Sequence, residues 1–228
     1  MLIGGLQKTS LSDFPGKISA IVFTIGCNFR CGYCHNPELY SLKTANKIAE
    51  RDVLSFLEKR KGKLEGVVIT GGEPTLQNDL EPFIKKVKKI GYLVKLDTNG
   101  SNPDIVARLL QNKLLDYIAM DIKAPLYKYE TTAKRKIDAV KIKKNIDLIM
   151  NSGIYYEFRT TVIHGELDES DLIQIAEMIK GAKLYILQKF VPNKVHDKKF
   201  YKKSSYSQSE LDLIKDKLKD YVYEVIVR

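Results

Sequence analysis

Short β-branched runs alternate with longer amphipathic stretches along most of this 228-residue chain. Six runs are predicted to be strands, at residues 18–23, 66–70, 92–96, 117–120, 155–162 and 184–187. Helical periodicity fills the intervals, at about residues 47–60, 78–90, 103–113, 138–151, 168–180 and 208–220. Alternation of this kind predicts a parallel sheet with helices packed on it.

The number of strand–helix units limits the kind of sheet. Six units are too few to close an eight-stranded barrel but suit an open one, so we predict an α/β fold, a partial (β/α)6 barrel of the TIM type with a mostly parallel sheet. Residues 221–228 are expected to add a last strand. Because no low-complexity linker interrupts the chain, we expect one domain, 1–228, with a core at about 15–190 and a carboxyl-terminal extension at 191–228.

Composition restricts the cellular setting. The chain is 44% hydrophobic, which can supply a core, yet no run approaches the roughly 18 apolar residues of a membrane span. The start MLIGGLQKTSLSDFPGK lacks the basic and apolar regions of a signal peptide. We therefore expect a cytoplasmic protein without membrane contact, where cysteines stay reduced.

The formal charge of +10 is local. Two predicted basic loops, residues 123–144 and 189–203, carry net charges of +6 and +5, and the rest of the chain is at −1. Such loops can be merely solvated or can attract an acidic or phosphate-bearing partner.

All three cysteines, Cys27, Cys31 and Cys34, lie within eight residues after the first predicted strand. The spacing is too tight for a disulfide framework. A closed zinc or iron–sulfur site normally takes four protein ligands, so three thiolates would leave one position for a small molecule. His35 could complete a structural zinc site, but it is adjacent to Cys34, and neighbouring side chains in an extended loop tend to point apart.

Polar residues also mark the ends of the other predicted strands. Functional residues in parallel α/β folds gather at the carboxyl ends of strands. The candidates are Gly71-Gly72-Glu73-Pro74, Asp97-Thr98, Asp121-Ile122-Lys123, Arg159 and Gln188. The glycines leave the backbone open to a ligand, although an ordinary strand–helix turn would also use them.

The motif Cys-x3-Cys-x2-Cys, with Tyr33 before its last cysteine and GGEP after the next strand, resembles the radical S-adenosylmethionine (SAM) superfamily. CNFRCGYCHNPELY, preceded by LQKTSLSDFPGK and followed by LDTNG and MDIK, resembles activating enzymes of glycyl radical enzymes, most closely those of anaerobic ribonucleoside-triphosphate reductase. The resemblance covers about residues 1–190. It implies a partial barrel of the radical SAM type, one [4Fe-4S] cluster, and SAM that is cleaved to a 5′-deoxyadenosyl radical.

The resemblance also implies roles for individual residues. Cys27, Cys31 and Cys34 would hold the cluster, Tyr33 would pack near adenine, and Gly71, Gly72 and Glu73 would receive the SAM amino group. Lys123, in the Asp121-x-Lys123 motif, would bind the methionyl carboxylate, with Arg159 as a second candidate. Asp97 and Thr98 would lie near the ribose or a monovalent cation. Simpler readings remain: Arg159 pairs with an interior carboxylate, Asp97 caps a turn, or Lys123 is solvated.

The implied partners are a glycyl radical enzyme, most closely anaerobic ribonucleotide reductase, and a low-potential electron donor such as flavodoxin or ferredoxin. The basic loops would then dock the partner's glycine-bearing loop. One alternative is a radical SAM enzyme that acts on a small molecule or RNA, although no RNA-binding motif is recognised. The other is a non-catalytic metal-binding module.

Overall fold

The computed structural model describes residues 1–41, 43 and 46–228. The sheet contains β1 (Ile3–Ser10), β2 (Ser19–Thr24), β3 (Gly66–Gly71), β4 (Leu93–Thr98), β5 (Tyr117–Asp121), β6 (Tyr155–Val162), β7 (Tyr185–Lys189) and β8 (Val225–Val227). The strand order follows the chain, from β1 to β8. β1 is antiparallel to β2, whereas β2–β3, β3–β4, β6–β7 and β7–β8 are parallel pairs. The predicted α/β fold, a partial barrel with a mostly parallel sheet, is confirmed.

Seven helices connect these strands in the described part of the chain. They are α1 (Glu50–Lys59), α2 (Leu80–Ile90), α3 (Pro103–Gln111), α4 (Leu126–Ala133), α5 (Ala139–Met150), α6 (Glu169–Met178) and α7 (Gln208–Leu218). Short 3-10 turns cover Pro37–Tyr40, Pro74–Leu76 and Lys198–Lys202. All six predicted strands, the last strand and all six predicted helices are confirmed in kind, and helix and strand periodicities explain why. None of the helices in the described ranges is both long and apolar enough to cross a bilayer.

Two elements were not predicted. In β1, a Cβ added to Gly4 would lie 2.5 Å from Leu39 Cδ2 and 2.8 Å from Ile25 Cγ1. The close packing therefore requires a residue type that strand patterns do not favour. Within the basic segment 123–144, the part before the helix predicted at 138–151 was predicted as a loop, which is wrong for α4. α4 buries only Tyr129 and Ala133, too short an apolar stripe to stand out in sequence.

The chain divides into two compact units. The first unit comprises Met1–Asn28, Glu38–Thr98 and Asn102–Ile118, and the second unit comprises Phe29–Pro37, Asn99–Ser101 and Ala119–Arg228. The chain thus passes from one unit to the other between the first and second cysteines. The single domain of residues 1–228 stays a prediction.

The core of the first unit explains how its strand ends are placed. β2 and β3 pair in register from Ser19 with Gly66 to Thr24 with Gly71. Val22 of β2 and Val67 of β3 are fully buried, and each buried aliphatic side chain of this size contributes about 1.5–3 kcal/mol. The helix α2 buries an apolar face that includes Phe83. This packing fixes the two strand ends side by side.

The second unit is built on parallel β6, β7 and β8. Phe158 pairs with Tyr185, and Tyr185 pairs with Val225. A capping box at Asp168 and Asp171 starts α6, which satisfies backbone N–H groups that would otherwise lack partners. β8 therefore ties the end of the chain to the strand that precedes the second basic segment.

Candidate functional site

The cysteine loop follows β2. Cys31 is buried, Cys27 and Cys34 are half-buried, and none of the three forms a disulfide. Burial raises the pKa of the Cys31 thiol, against the lowering effect of the Lys123 charge. Within residues 1–41, 43 and 46–228, no three His, Cys, Asp or Glu side chains form a ready-made metal site. The ligand roles of the three cysteines therefore stay predictions.

The glycine turn after β3 lies against the backbone that leads into the cysteine loop. Gly72 N donates to Thr24 O at 2.9 Å, and Glu73 N donates to Gly26 O at 2.7 Å. A Cβ on Gly72 would lie only 2.1 Å from Gly26 O. The absence of a side chain at residue 72 is thus a steric requirement of this backbone contact.

The Glu73 side chain holds the turn together from inside the first unit. It is 1% exposed, and its Oε1 accepts hydrogen bonds from Thr75 N at 3.1 Å, Thr75 Oγ1 at 2.6 Å and Thr98 Oγ1 at 2.7 Å. Gln77 Nε2 donates to Ile25 O at 2.6 Å. The Glu73 side chain therefore has a structural role in the turn, and a contact of the Glu73 backbone with SAM stays a prediction.

Asp97 is paired with a lysine that the sequence reasoning missed. Lys95 is 1% exposed, its Nζ lies 2.5 Å from Asp97 Oδ1, and the ammonium is 5.6 Å from the centroid of the Tyr117 ring. The signal was one lysine inside the apolar strand YLVKL. A positive charge beside Asp97 therefore comes from the chain itself.

Asp121, Lys123 and Arg159 form a charged group in the second unit. Asp121 Oδ2 lies 3.0 Å from Lys123 Nζ, and Asp121 Oδ1 lies 2.8 Å from Arg159 Nε. Arg159 Nη1 is also 3.7 Å from Glu157 Oε1. Arg159 thus pairs with carboxylates of its own unit, and Lys123 is mostly buried rather than a solvated surface lysine. The contacts of both residues with SAM stay predictions.

The charges in this group support one another. Burial alone would raise the pKa of the Asp121 carboxyl, but the Arg159 and Lys123 charges outweigh it and hold that pKa well below its usual range. Burial opposes the charge on Lys123, yet Asp121 raises the pKa of Lys123 well above its ordinary value. The ammonium therefore stays protonated at neutral pH and is available to an anionic ligand group.

Tyr33 contributes a buried hydroxyl to the same unit. Tyr33 is 8% exposed, and its hydroxyl has no hydrogen-bond partner among the described residues. Lys123 Nζ lies 5.9 Å from the Tyr33 ring centroid. Burial raises the pKa of Tyr33 well above its usual value, so the phenol is a neutral donor. Buried polar groups are normally bonded, so this orphan hydroxyl fits a polar ligand at this position.

Comparisons with known proteins agree on one family for this chain. The model described as the Radical SAM superfamily matches residues 21–179. A Methanocaldococcus jannaschii protein, whose name provisionally assigns it as a glycyl-radical enzyme activating enzyme, is 35% identical over 232 residues, covering 100% of this chain and 95% of that protein. The pyruvate formate-lyase-activating enzyme of Clostridium pasteurianum is 31% identical over 126 residues, which cover 53% of this chain and 52% of that enzyme.

A solved structure supports the fold. The crystal structure of a domain of the pyruvate-formate lyase-activating enzyme from Bacteroides vulgatus matches with a TM-score of 0.55 at 21% identity. The match covers 72% of this chain and 99% of that domain. The partial barrel is therefore shared.

Proposed function

The chain belongs to the Radical SAM superfamily, within its glycyl-radical enzyme activating group, and from this premise we propose that it cleaves SAM reductively and installs a glycyl radical on a partner enzyme. The main support is the cysteine loop after β2, whose first residues pack against the Gly71-Gly72-Glu73 turn. The loop supplies three thiols that form no disulfide, and no fourth protein ligand is evident in its motif. A site for one [4Fe-4S] cluster and SAM fits this donor set.

In the proposed site, Cys27, Cys31 and Cys34 hold the cluster through their thiolates. When bound, such a cluster supplies the electron that splits the sulfonium of SAM into methionine and a 5′-deoxyadenosyl radical. In the proposed reaction this radical would take a hydrogen atom from a glycine Cα of the partner. The chain contributes position, charge and exclusion of water.

The remaining residues would orient SAM. The backbone at Gly72 and Glu73 receives the amino group, and the Lys123 ammonium, held by Asp121, binds the methionyl carboxylate. Arg159 assists mainly by fixing Asp121, to which its Nε donates at 2.8 Å. The buried hydroxyl of Tyr33 supplies a donor near the adenine.

Asp97 and Thr98 would receive the ribose. Thr98 Oγ1 donates to Glu73, so Thr98 and Glu73 belong to one hydrogen-bonded network at the ends of β3 and β4. The ammonium of Lys95 already supplies a positive charge to Asp97. A monovalent cation at this position stays a prediction.

The proposed partner is anaerobic ribonucleotide reductase, and the proposed electron donor is a flavodoxin or a ferredoxin. The basic segments 123–144 and 189–203 are neighbours in the second unit, since Lys134 Nζ lies 2.9 Å from Asp197 Oδ2. Together they offer one basic surface. Charge of one sign raises the encounter rate with an acidic partner and is screened by salt.

One experiment tests the activity. The protein is reconstituted anaerobically with iron and sulfide, reduced, and given SAM together with anaerobic ribonucleotide reductase or pyruvate formate-lyase. We expect 5′-deoxyadenosine by chromatography and a glycyl-radical doublet by electron paramagnetic resonance (EPR) on the reductase, and neither signal with Cys31→Ser. If the protein cleaves no SAM and instead binds zinc stoichiometrically, the result would favour a metal-binding module. Cleavage without a doublet on either partner would favour a small-molecule or RNA substrate.

Docking has its own test. Arg135→Glu with Lys136→Glu should slow activation of the partner several-fold at low salt and leave partner-free SAM cleavage unchanged. Lys61→Glu with Lys63→Glu, on the first unit, makes the same change in net charge and serves as the control. Equal activation rates in the two double variants would exclude the basic surface as the docking site.

A further inference from the structure

Residues 190–203, here called the strap, contact the cysteine loop through the backbone. His196 N donates to Cys34 O at 3.1 Å, and Asp197 N donates to Gly32 O at 2.9 Å. These bonds bracket the span from Gly32 to Cys34, which begins directly after the second cysteine and ends at the third. The strap therefore fixes the backbone between Cys31 and Cys34.

Aromatic side chains of the strap pack on the same span. The Phe200 ring lies so close to Gly32 that an added Cβ would be 2.4 Å from Phe200 Cε2. The ring centroids of Phe200 and Tyr33 are 6.0 Å apart. Phe190 stacks on His35, with centroids 5.9 Å apart and an interplanar angle of 15°. The strap thus covers one side of the loop with apolar surface.

His35 is fixed by the strap as well. Its Nε2 lies 3.0 Å from Val191 O. The histidine therefore has a local structural role in this arrangement. Its position next to Cys34 joins the end of the cysteine motif to the beginning of the strap.

The strap is itself held by the second unit. Lys189 N donates to Arg228 O at 2.7 Å, just before the strap begins. Asp197 accepts from Lys199 N at 3.0 Å and pairs with Lys134 Nζ at 2.9 Å. Beyond the strap, His164 N donates to Ser204 O at 2.9 Å. Because both ends and the middle are anchored, the strap can impose a conformation on the loop.

From these contacts we propose that the strap, with Phe200 at its centre, positions the cysteine loop for cluster binding and shields the cluster from solvent. This proposal rests on the proposed role of the cysteines. A loop that is ordered before it binds loses less conformational entropy on binding. Apolar cover controls solvent access to a metal centre and hence its retention and redox behaviour. Phe200 and Phe190 are thus positioning residues that act through the loop.

The direct test is Phe200→Ala in the full chain, reconstituted anaerobically. Iron release to a chelator is followed by absorbance, and the reduced cluster is examined by EPR. We expect release to be faster by about 10–100-fold, the usual effect of losing a residue that supports metal ligands, with a changed EPR spectrum. Tyr201→Ala, at a half-exposed neighbour in the same segment, should release iron at the wild-type rate.

A double-mutant cycle makes the test independent of general stability. Gly32→Ala alone should speed iron release, because its methyl group would collide with the Phe200 ring. In the Phe200→Ala background the space is open, so the added methyl group should cause little further loss. Phe200→Leu should restore part of the retention and provides a milder variant if Phe200→Ala folds poorly.

Two results would separate this inference from the function on which it rests. If wild-type protein takes up no [4Fe-4S] cluster, the proposed function fails. If wild-type protein binds the cluster but Phe200→Ala and Phe200→Leu both retain it at the wild-type rate, the strap proposal is wrong and the function stands. Additive effects of the changes at Gly32 and Phe200 would also overturn the strap proposal.

Discussion

Gly72→Ala is a minimal change at the point where the glycine turn meets the cysteine loop. The new Cβ would lie 2.1 Å from Gly26 O and 2.7 Å from Gly26 C. Non-bonded heavy atoms are most stable about 3.5 Å apart, so one backbone would have to move by more than about 1 Å. Both strands that carry these residues are buried and paired in register, so the displacement is concentrated at the turn.

The cost can be worked out from two contributions. Overpacking of this kind costs about 1–3 kcal/mol. Moving Gly26 O away also strains the 2.7 Å hydrogen bond from Glu73 N, and one such bond contributes about 1 kcal/mol. The free energy of unfolding should fall by about 2–4 kcal/mol. For a chain of this size, that corresponds to a Tm lower by roughly 4–16 °C.

Thermal unfolding of the metal-free protein by circular dichroism measures the stability loss, and equilibrium dialysis of the reconstituted protein measures SAM affinity. We expect Gly72→Ala to lower both the Tm and the affinity for SAM. Gly62→Ala is the matched control: Gly62 has φ +77° and no atom within 4 Å of an added Cβ. It should lose about 1–2 kcal/mol of stability through backbone strain and keep its SAM affinity. A Gly72→Ala variant with wild-type Tm and SAM affinity would refute the steric argument.

Two further changes test buried charges. Lys95→Met leaves the Asp97 carboxylate without its ammonium and should cost about 3–5 kcal/mol in urea unfolding, whereas a loss below about 1 kcal/mol would show that the pair is dispensable. Burial raises the pKa of Asp171, but hydrogen bonds from Lys128 and Tyr127 outweigh this and lower the pKa overall. The ionised Asp171 therefore stabilises the folded protein at pH values above the unfolded pKa of about 3.9. This contribution is lost as the pH falls through the lower folded pKa. Wild type should therefore exceed Asp171→Asn in stability at pH 7 and lose that advantage below about pH 4; an unchanged difference from pH 7 to pH 2 would contradict this.

Much of the sheet could be predicted because its elements are determined locally. β6 was predicted with the bounds that the structure shows, Tyr155–Val162, since its length and β-branched content set it apart from its flanks. β1 could not be found in this way. Its glycine at residue 4 is required by Leu39 and Ile25, contacts that exist only in the folded chain.

The candidate site, too, could be predicted only in part from the sequence. The positions of the cysteines and of the Gly71-Gly72 turn follow from spacing and strand ends, whereas charge pairing does not. Sequence left two readings of Arg159, and the 2.8 Å contact with Asp121 shows its pairing. Lys95 escaped notice because one lysine in a strand is usually exposed on its polar face. The strap escaped notice because its partners are far apart in the chain.

That separation has a consequence for how the protein matures. The backbone bonds between the cysteine loop and residues 196–197 span about 160 residues, which at about 5–20 residues per second take roughly 8–32 s to synthesise. During that interval the three thiols are already made, but the strap that bonds to Gly32 and Cys34 is not. Iron and sulfide that reached the growing chain would meet a loop that the strap does not yet support. If the strap acts as proposed, stable cluster insertion would wait until residue 197 has been made, and a chain that stops before residue 190 would keep every cysteine and lose this support.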